Sequence, residues 1–263
     1  MDSIHASIVA ERLGEWAGVP ITNTLIMSWV VLTLLVLVAV IMRTRLALLP
    51  GKAQVFLEIL VGGAYGYVEE VLESKDLARK FFPFLMTIFL FILAANWLEF
   101  VPGVGSVGFY AETHGGEVDD GHGEFLPLLR SLATDLNMPL ALAIIAFVVI
   151  EAVGMRRFGF FRYMNRFFPF GAFRHGASSG LLALLVGLIE LVSEFIRLIS
   201  FSFRLFGNIF AGEVLIAVML FFVPYVIPVP FMAFEVFVGF IQAAIFAMLT
   251  LFFIKLAVTE AAH

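Results

Sequence analysis

The sequence predicts an all-α polytopic membrane protein, with about five membrane-embedded helices and one amphipathic helix on the membrane surface. Composition is the first reason: 62% of the 263 residues are hydrophobic and only 14% are charged, whereas about a quarter of the residues in soluble domains are charged. Several apolar runs are the second reason, because each is long enough to cross a hydrocarbon core about 30 Å thick. A water-soluble domain of this length could not bury so much apolar surface.

The same composition excludes several classes of function. A soluble enzyme and a disordered chain are both inconsistent with so apolar a sequence. The formal net charge of −5 argues against a nucleic-acid partner, because nucleic-acid binding surfaces are basic. The sequence contains no cysteine, which excludes disulfides and thiolate chemistry.

The first half of the chain contains two predicted spans, within a single membrane domain that covers 1–263. Between these spans, apolar residues recur at a helical period with glutamates interspersed, which favours an amphipathic helix on the membrane surface or docked on a partner over a further span. A Pro-Gly pair ends the second span. In chain order, the predicted elements are an outer N-terminal segment, the first span, the surface helix and the second span, over 1–25, 26–42, 52–80 and 81–101.

The second half contains a third span and two long helices. Residues 180–223 contain no proline, so they could form one helix of roughly 66 Å, about twice the hydrocarbon thickness. Such a helix must bend, break or tilt strongly. A proline-rich turn follows, and the last two helices are predicted to pair as a tilted hairpin. In chain order, the elements are a polar outer loop, the third span, a basic inner loop, the long helix and the last helix, over 103–125, 131–153, 156–174, 178–222 and 231–258.

The distribution of basic residues predicts the orientation in the membrane. Most of the lysines and arginines fall in the loops at 43–52, 75–80 and 156–174 and at Lys255, which this topology places on one side. Basic loops remain on the cytoplasmic side. We therefore expect a multi-pass protein with its N-terminus outside and its C-terminus in the cytoplasm.

The polar side chains of the long helix are the first candidate functional residues, because charges within a bilayer are costly and usually functional. Arg204 lies nine residues before Glu213, which puts the two on different faces of an ideal helix. A stripe within about 80° of one face comprises Glu190, Glu194, Arg197, Arg204 and Asn208. For Glu190, Glu194 and Arg197, a satisfied ion-pair network is an equally good interpretation.

The last helix adds Glu235 and Gln242, which are seven residues apart and therefore share a face. Carboxylates can take up and release protons when they are desolvated, whereas arginine stays charged. Together with Arg204 and Glu213, these two residues make a set that suits a proton relay.

Two sequence motifs resemble those of a known family. The motifs RLFGNIFAGE (204–213) and IQAAIF (241–246) are similar to those of subunit a of F-type ATP synthases. The resemblance extends over nearly the whole chain and includes the stretches NWLE (96–99) and TDLN (134–137). The RLFGN motif is specific when a glutamate, here Glu190, precedes it by fourteen residues.

The resemblance implies the proton-translocating stator subunit of a rotary ATP synthase, with no catalytic activity of its own. In that family, two offset aqueous half-channels reach the carboxylates of a rotating ring of proteolipid subunits, the c-ring, and Arg204 matches the arginine that separates them. The implied partners are the c-ring, subunit b of the peripheral stalk, the rest of the F-type ATP synthase and membrane lipid, in a cell inner membrane. No cofactor, metal or nucleic acid is implied.

The resemblance also assigns individual residues. Asn208, Glu213 and Gln242 fall on polar positions of the family, and Glu190 matches an acid near the inner outlet. Glu235 departs from the pattern, because some bacterial members carry histidine there. We expect Glu213 and Glu235 to share a proton in the inlet half-channel. Glu99 and Asn96 are expected nearer its mouth, and Glu194, Arg197 and Asp135 are further candidates on the proton path.

Three other interpretations fit the sequence less well. A secondary ion transporter or channel could use the same charges, but the sequence shows no internal repeat of the kind common in transporters. An intramembrane enzyme is disfavoured because HGASSG (175–180) lacks the G-x-S-x-G spacing. His114 and His122 could bind a metal, but their acid-rich segment is more typical of a solvated loop.

Overall fold

The computed structural model describes residues 12–16, 19–47, 50–105, 107–111, 124–169, 171, 176–223 and 226–259. Within them lie seven α-helices: α1 (Asn23–Arg45), α2 (Lys52–Leu72), α3 (Lys75–Leu98), α4 (Asn137–Phe158), α5 (Phe160–Phe167), α6 (Ala177–Phe222) and α7 (Pro228–Thr259). There are also short strands β1 (Arg12–Trp16), β2 (Val19–Thr22), β3 (Pro102–Gly105), β4 (Gly108–Ala111) and β5 (Glu124–Pro127). Strands β1 and β2 pair antiparallel, as do β4 and β5.

Five of these helices are long and apolar enough to cross a membrane: α1, α3, α4, α6 and α7. This confirms the predicted all-α membrane fold. Much of the apolar surface of α1 and α6 faces outward, as lipid-facing surface must, with Trp29 and Leu182 both more than 60% exposed. The protein is therefore a multi-pass membrane protein.

The predicted surface helix over 52–80 is in fact two helices. Glu73 adopts a left-handed conformation, with φ of 51°, and this ends α2. Ser74 then caps α3 by accepting a hydrogen bond from the backbone N–H of Leu77, at 3.5 Å. The second span therefore begins at Lys75 rather than at 81, and its basic first turns are part of the helix.

The third span and the two loops beside it also differ from the prediction. In place of a span from 131 to 153, a 3-10 turn at Leu132–Thr134 precedes α4, which continues to Phe158. Gly159 ends α4 with a φ of 83°, and α5 then occupies part of the predicted basic loop over 156–174. The predicted polar loop over 103–125 contains the short strands β3 and β4.

Helix α6 is continuous over 46 residues. Of the three ways in which so long a helix was predicted to fit the membrane, which were bending, breaking and tilting, breaking does not occur. Its contacts with α7 run in opposite order along the two helices. The Phe201 ring lies 5.1 Å from the Phe246 ring and 5.6 Å from that of Phe253, measured between centroids. Further along α6, the backbone carbonyl of Arg204 accepts a hydrogen bond from Gln242.

A buried cluster at the centre of the bundle holds the polar residues in place. It joins four helices, and its members are Ile88, Ile92, Ala133, Ala143, Ala146, Phe201, Leu205, Ile209, Ala243 and Phe246. Small residues on α4 and α7 allow close approach of the backbones, which is how helices pack in lipid.

Several residues singled out in the sequence lie outside the described residues. These are His114 and His122 of the acidic segment and His175 of HGASSG. Two residues of the predicted proline-rich turn, at 224 and 225, also lie outside.

Candidate functional site

The polar side chains within the bundle gather into two groups on either side of Arg204. One group, the Glu213 cluster, consists of Glu99, Arg130, Ser131, Glu213 and Glu235. The other group, the Glu194 network, consists of Glu151, Tyr163, Arg166, Glu190, Glu194 and Arg197. Along α6, Glu213 lies nine residues after Arg204 and Glu194 ten residues before it, so each is about 14 to 15 Å from Arg204 along the axis.

Within the Glu213 cluster, Glu235 is buried and Glu213 is half-buried. The Glu235 carboxyl packs so closely on Gly212 that any side chain at residue 212 would overlap it. Among the described residues, neither Oε2 of Glu213 nor Oε1 of Glu235 has a hydrogen-bond partner. A buried carboxylate oxygen without a partner is costly when charged, so these two oxygens favour binding a proton or water.

Glu99 completes the cluster from the end of α3. Ser131 Oγ donates a hydrogen bond of 2.8 Å to Glu99 Oε2. Burial raises the pKa of Glu99 to about 8, and the nearby Glu213 and Glu235 add to the rise, against the hydrogen bond from Ser131 and the charge of Arg130. Glu99 can therefore exchange a proton close to neutral pH.

Asn96 and Trp97 hold α3 against α7 one turn from Glu235. Asn96 Nδ2 donates to the backbone carbonyl of Gly239 at 3.1 Å, and Trp97 Nε1 donates to that of Val236 at 3.1 Å. A Cβ at Gly239 would lie 2.9 Å from Asn96 Cβ, so glycine is required for this approach. The buried Asn96 Oδ1 has no partner among the described residues and remains available to water.

Arg204 stands apart from both groups, with its side chain exposed on the outside of α6. Its backbone carbonyl accepts a 2.7 Å hydrogen bond from Nε2 of the buried Gln242. It forms no ion pair with any residue that the structure describes. Gly207 and Asn208 on the next turn are also exposed, and a side chain at Gly207 would meet no other residue. This part of α6 therefore presents an arginine and an asparagine on an exposed surface beside α7.

The Glu194 network is held together by two arginines. Arg166 of α5 forms an ion pair with Glu190, and its Nη2 lies 3.9 Å from Glu194 Oε1. Arg197 Nη1 lies 2.6 Å from the other carboxylate oxygen of Glu194. The residue Glu194 is only 3% exposed. The Arg197 guanidinium also stacks over the Phe253 ring, 3.9 Å from its centroid. The sequence-based alternative of a satisfied ion-pair network thus describes these contacts.

Tyr163 connects this network to α4. Its ring packs on Gly154 and is almost fully buried, and its hydroxyl interacts with the Glu151 carboxylate. Burial and the Glu151 charge raise the pKa of Tyr163, so the phenol keeps its proton at neutral pH. Glu151 Oε1 has no hydrogen-bond partner among the described residues.

The predicted stripe on α6 is divided by its neighbours. Glu190 and Glu194 contact Arg166 of α5, and Arg197 contacts Phe253 of α7, whereas Arg204 and Asn208 are exposed. Asp135 lies elsewhere: its two oxygens accept hydrogen bonds from the Asn137 backbone N–H, at 3.1 Å, and from Thr24 Oγ1, at 3.3 Å. Asp135 therefore joins the start of α4 to α1.

Sequence reasoning missed five members of the two groups: Arg130, Ser131, Glu151, Tyr163 and Arg166. The first two precede the 3-10 turn, and Tyr163 and Arg166 lie on α5, in the segment predicted as a loop. Glu151 was the one with a usable signal, because it is a lone acid inside an otherwise apolar span.

The chain is similar over most of its length to known proteins. The sequence model of the family described as ATP synthase A chain matches residues 25–255. "ATP synthase subunit a" of Mycobacterium marinum is 34% identical over 248 residues, which cover 92% of this chain and 89% of that protein. "ATP synthase subunit a 2" of a Bradyrhizobium species is 33% identical, covering 93% and 92%. "ATP synthase subunit a" of Moorella thermoacetica is 26% identical, covering 90% of each chain.

Proposed function

Because the chain belongs to the ATP synthase A chain family and is thus a membrane subunit of an F-type ATP synthase, we propose that it passes protons to and from a rotating c-ring. It does so through two half-channels that Arg204 keeps apart, which couples the proton gradient to rotation and ATP synthesis. Catalysis at the nucleotide belongs to other subunits. The observation that carries this proposal is the isolated, outward-facing Arg204 between two buried acidic groups.

The role of Arg204 follows from electrostatics. An ionised carboxylate in hydrocarbon is strongly disfavoured, but beside an arginine at intermediate dielectric it gains several kcal/mol. A ring carboxylate can therefore be ionised only opposite Arg204 and must be protonated before it turns into lipid. A proton cannot move straight from one half-channel to the other, because a fixed positive charge repels it.

The Glu213 cluster supplies the inlet. Glu99 takes a proton near the end of α3 and passes it toward Glu213 and Glu235, whose unpartnered oxygens receive it. Arg130 interacts electrostatically with both Glu99 and Glu213 and limits how many protons the three acids hold together. Asn96 and Gln242 line the way and fix α3 and α6 against α7.

The Glu194 network supplies the outlet. A proton leaving the ring reaches Glu194 and Glu190, and Arg166 and Arg197 favour its onward release because they stabilise the ionised carboxylates. We place this end of the bundle on the cytoplasmic side of the inner membrane, with the N-terminus outside and the C-terminus inside, since the basic ends of the helices lie here.

The c-ring occupies the exposed face of α6 and α7 around Arg204. Gly207 and Asn208 leave room there for another helix to approach, while Phe203 and Phe237 provide exposed apolar surface. Subunit b and the rest of the ATP synthase bind elsewhere on the bundle. An ion transporter acting alone would have no use for an exposed arginine that forms no ion pair with any described residue of the bundle.

The Arg204→Ala variant tests this proposal in the whole ATP synthase, reconstituted in vesicles. We expect ATP synthesis driven by a proton gradient to be abolished and passive proton flux to rise. The matched control is Arg162→Ala, which removes an exposed arginine of α5 and is expected to leave synthesis unchanged. Normal synthesis by Arg204→Ala would refute the proposed role of this residue.

A further inference from the structure

A second feature of the bundle is unrelated to proton movement. Helices α3, α4 and α7 enclose a cavity of about 710 Å³ at the end of the bundle that carries Lys255. Lys80, Arg156 and Arg157 line its charged part, together with a single acid, Asp76. The cavity therefore has an excess of two positive charges.

The three cations of this cavity are available to a ligand. Elsewhere at this end, Lys75 lies 3.8 Å from Glu69 and Lys255 lies 3.0 Å from Glu73. By contrast, Lys80, Arg156 and Arg157 form no ion pair with any residue in the described ranges. All three are exposed, and the one contact of Lys80 with a ring places its Nζ 5.5 Å from the Phe81 centroid.

Apart from Ser74, the remaining wall of the cavity is apolar. It is formed by residues such as Phe81, Val149, Ala152 and Val153. Val149 lies seven residues before Arg156 on α4, so the cavity extends about 10 Å along that helix from the charged end into the hydrophobic part of the span. A ligand that fits must be anionic at one end and apolar at the other.

We propose that this cavity binds one anionic phospholipid. Its phosphate lies among Lys80, Arg156 and Arg157, and an acyl chain lies along the wall formed by Val149, Ala152 and Val153. Basic pockets between membrane helices at the cytoplasmic face suit such headgroups. A zwitterionic lipid would bring its own cation toward three others, so the site discriminates by charge.

The test uses native mass spectrometry of the full chain, purified in detergent with equal amounts of phosphatidylglycerol and phosphatidylcholine. We expect one retained phosphatidylglycerol. The triple variant Lys80→Gln/Arg156→Gln/Arg157→Gln should lower the preference for phosphatidylglycerol by roughly fivefold for each charge removed. The control Arg43→Gln/Arg79→Gln/Arg162→Gln removes three exposed charges that do not line the cavity and should retain the lipid.

A second variant, Ala152→Phe, fills the apolar part and leaves the charges in place. It should lose the bound lipid, while added inorganic phosphate should not displace the lipid from the unmodified protein. Equal retention of phosphatidylcholine would overturn the proposal. Retention of phosphatidylglycerol by Ala152→Phe would also overturn it, because that outcome would indicate general attraction to the charged surface. The proposal would likewise be wrong if the purified chain retained no lipid and the site bound lipid only when another subunit covered it.

Discussion

Glu99 shows how a single side chain acquires chemistry from its surroundings. On sequence alone it ends an apolar span beside a Pro-Gly pair. In the structure, burial and two neighbouring carboxylates oppose its ionisation, while Ser131 and Arg130 favour it. The balance leaves a carboxyl that titrates at about 8 instead of 4.5, so at neutral pH it is mostly protonated and still able to ionise.

This pKa predicts a pH dependence of stability. The carboxyl binds a proton more tightly in the folded protein than in the unfolded chain. Its contribution to the free energy of unfolding is therefore complete below pH 4.5 and is lost as the pH rises through 8. We expect the thermal unfolding midpoint to fall between pH 5 and pH 8 and to level off above that. In Glu99→Gln, which keeps an acceptor for Ser131 and cannot ionise, that fall should be smaller. Glu70→Gln, an exposed acid of α2, serves as the control and should behave like the unmodified protein.

Among the elements, α5 has the greatest effect on the site for its size. Its eight residues place Tyr163 against α4 and Arg166 against α6, and it covers part of a stripe that would otherwise face outward. Gly187 makes this possible, because the Phe167 backbone carbonyl packs directly on it. The docking of α5 thus determines which carboxylates of α6 are buried.

The variant Gly187→Ala tests the docking of α5. Its Cβ would overlap the Phe167 carbonyl, and overpacking of this kind costs about 1–3 kcal/mol. We expect a lower thermal unfolding midpoint and slower ATP-driven proton pumping, because Arg166 moves away from Glu190 and Glu194. Gly62→Ala is the matched control: its Cβ meets no other residue, and alanine in a helix should be neutral or stabilising by up to about 1 kcal/mol. Equal behaviour of the two variants would contradict this account.

For the whole molecule, the sequence predicted the helical membrane fold and the main polar residues, and the reason is physical. Lipid requires long apolar helices, so spans such as α6 can be recognised from the sequence. A charged residue such as Arg204 is conspicuous within such a span. The full membership of the Glu194 network could not be predicted from the sequence, because Arg166 and Tyr163 come from a short helix whose position depends on tertiary packing. The break at Glu73 depends on one left-handed residue, which the periodicity of 52–80 does not reveal.

The orientation in the membrane is a prediction that the absence of cysteine makes easy to measure. Single cysteines can be introduced at Asn165 of α5 and at Val107, which are both exposed. We expect a membrane-impermeant maleimide to label Asn165→Cys from the cytoplasmic side and Val107→Cys from the opposite side. The unmodified protein is the control and should not react. Labelling of both positions from the same side would rule out the proposed topology.

The outward direction of Arg204 has a consequence for biogenesis. A newly inserted copy of this chain, before it meets its ring, would hold a guanidinium against lipid tails, at a cost of a few kcal/mol by translocon scales. In the proposed function, docking to the ring relieves that penalty by supplying a counter-charge. We therefore expect copies made in excess of rings to be less stable in the membrane than assembled copies.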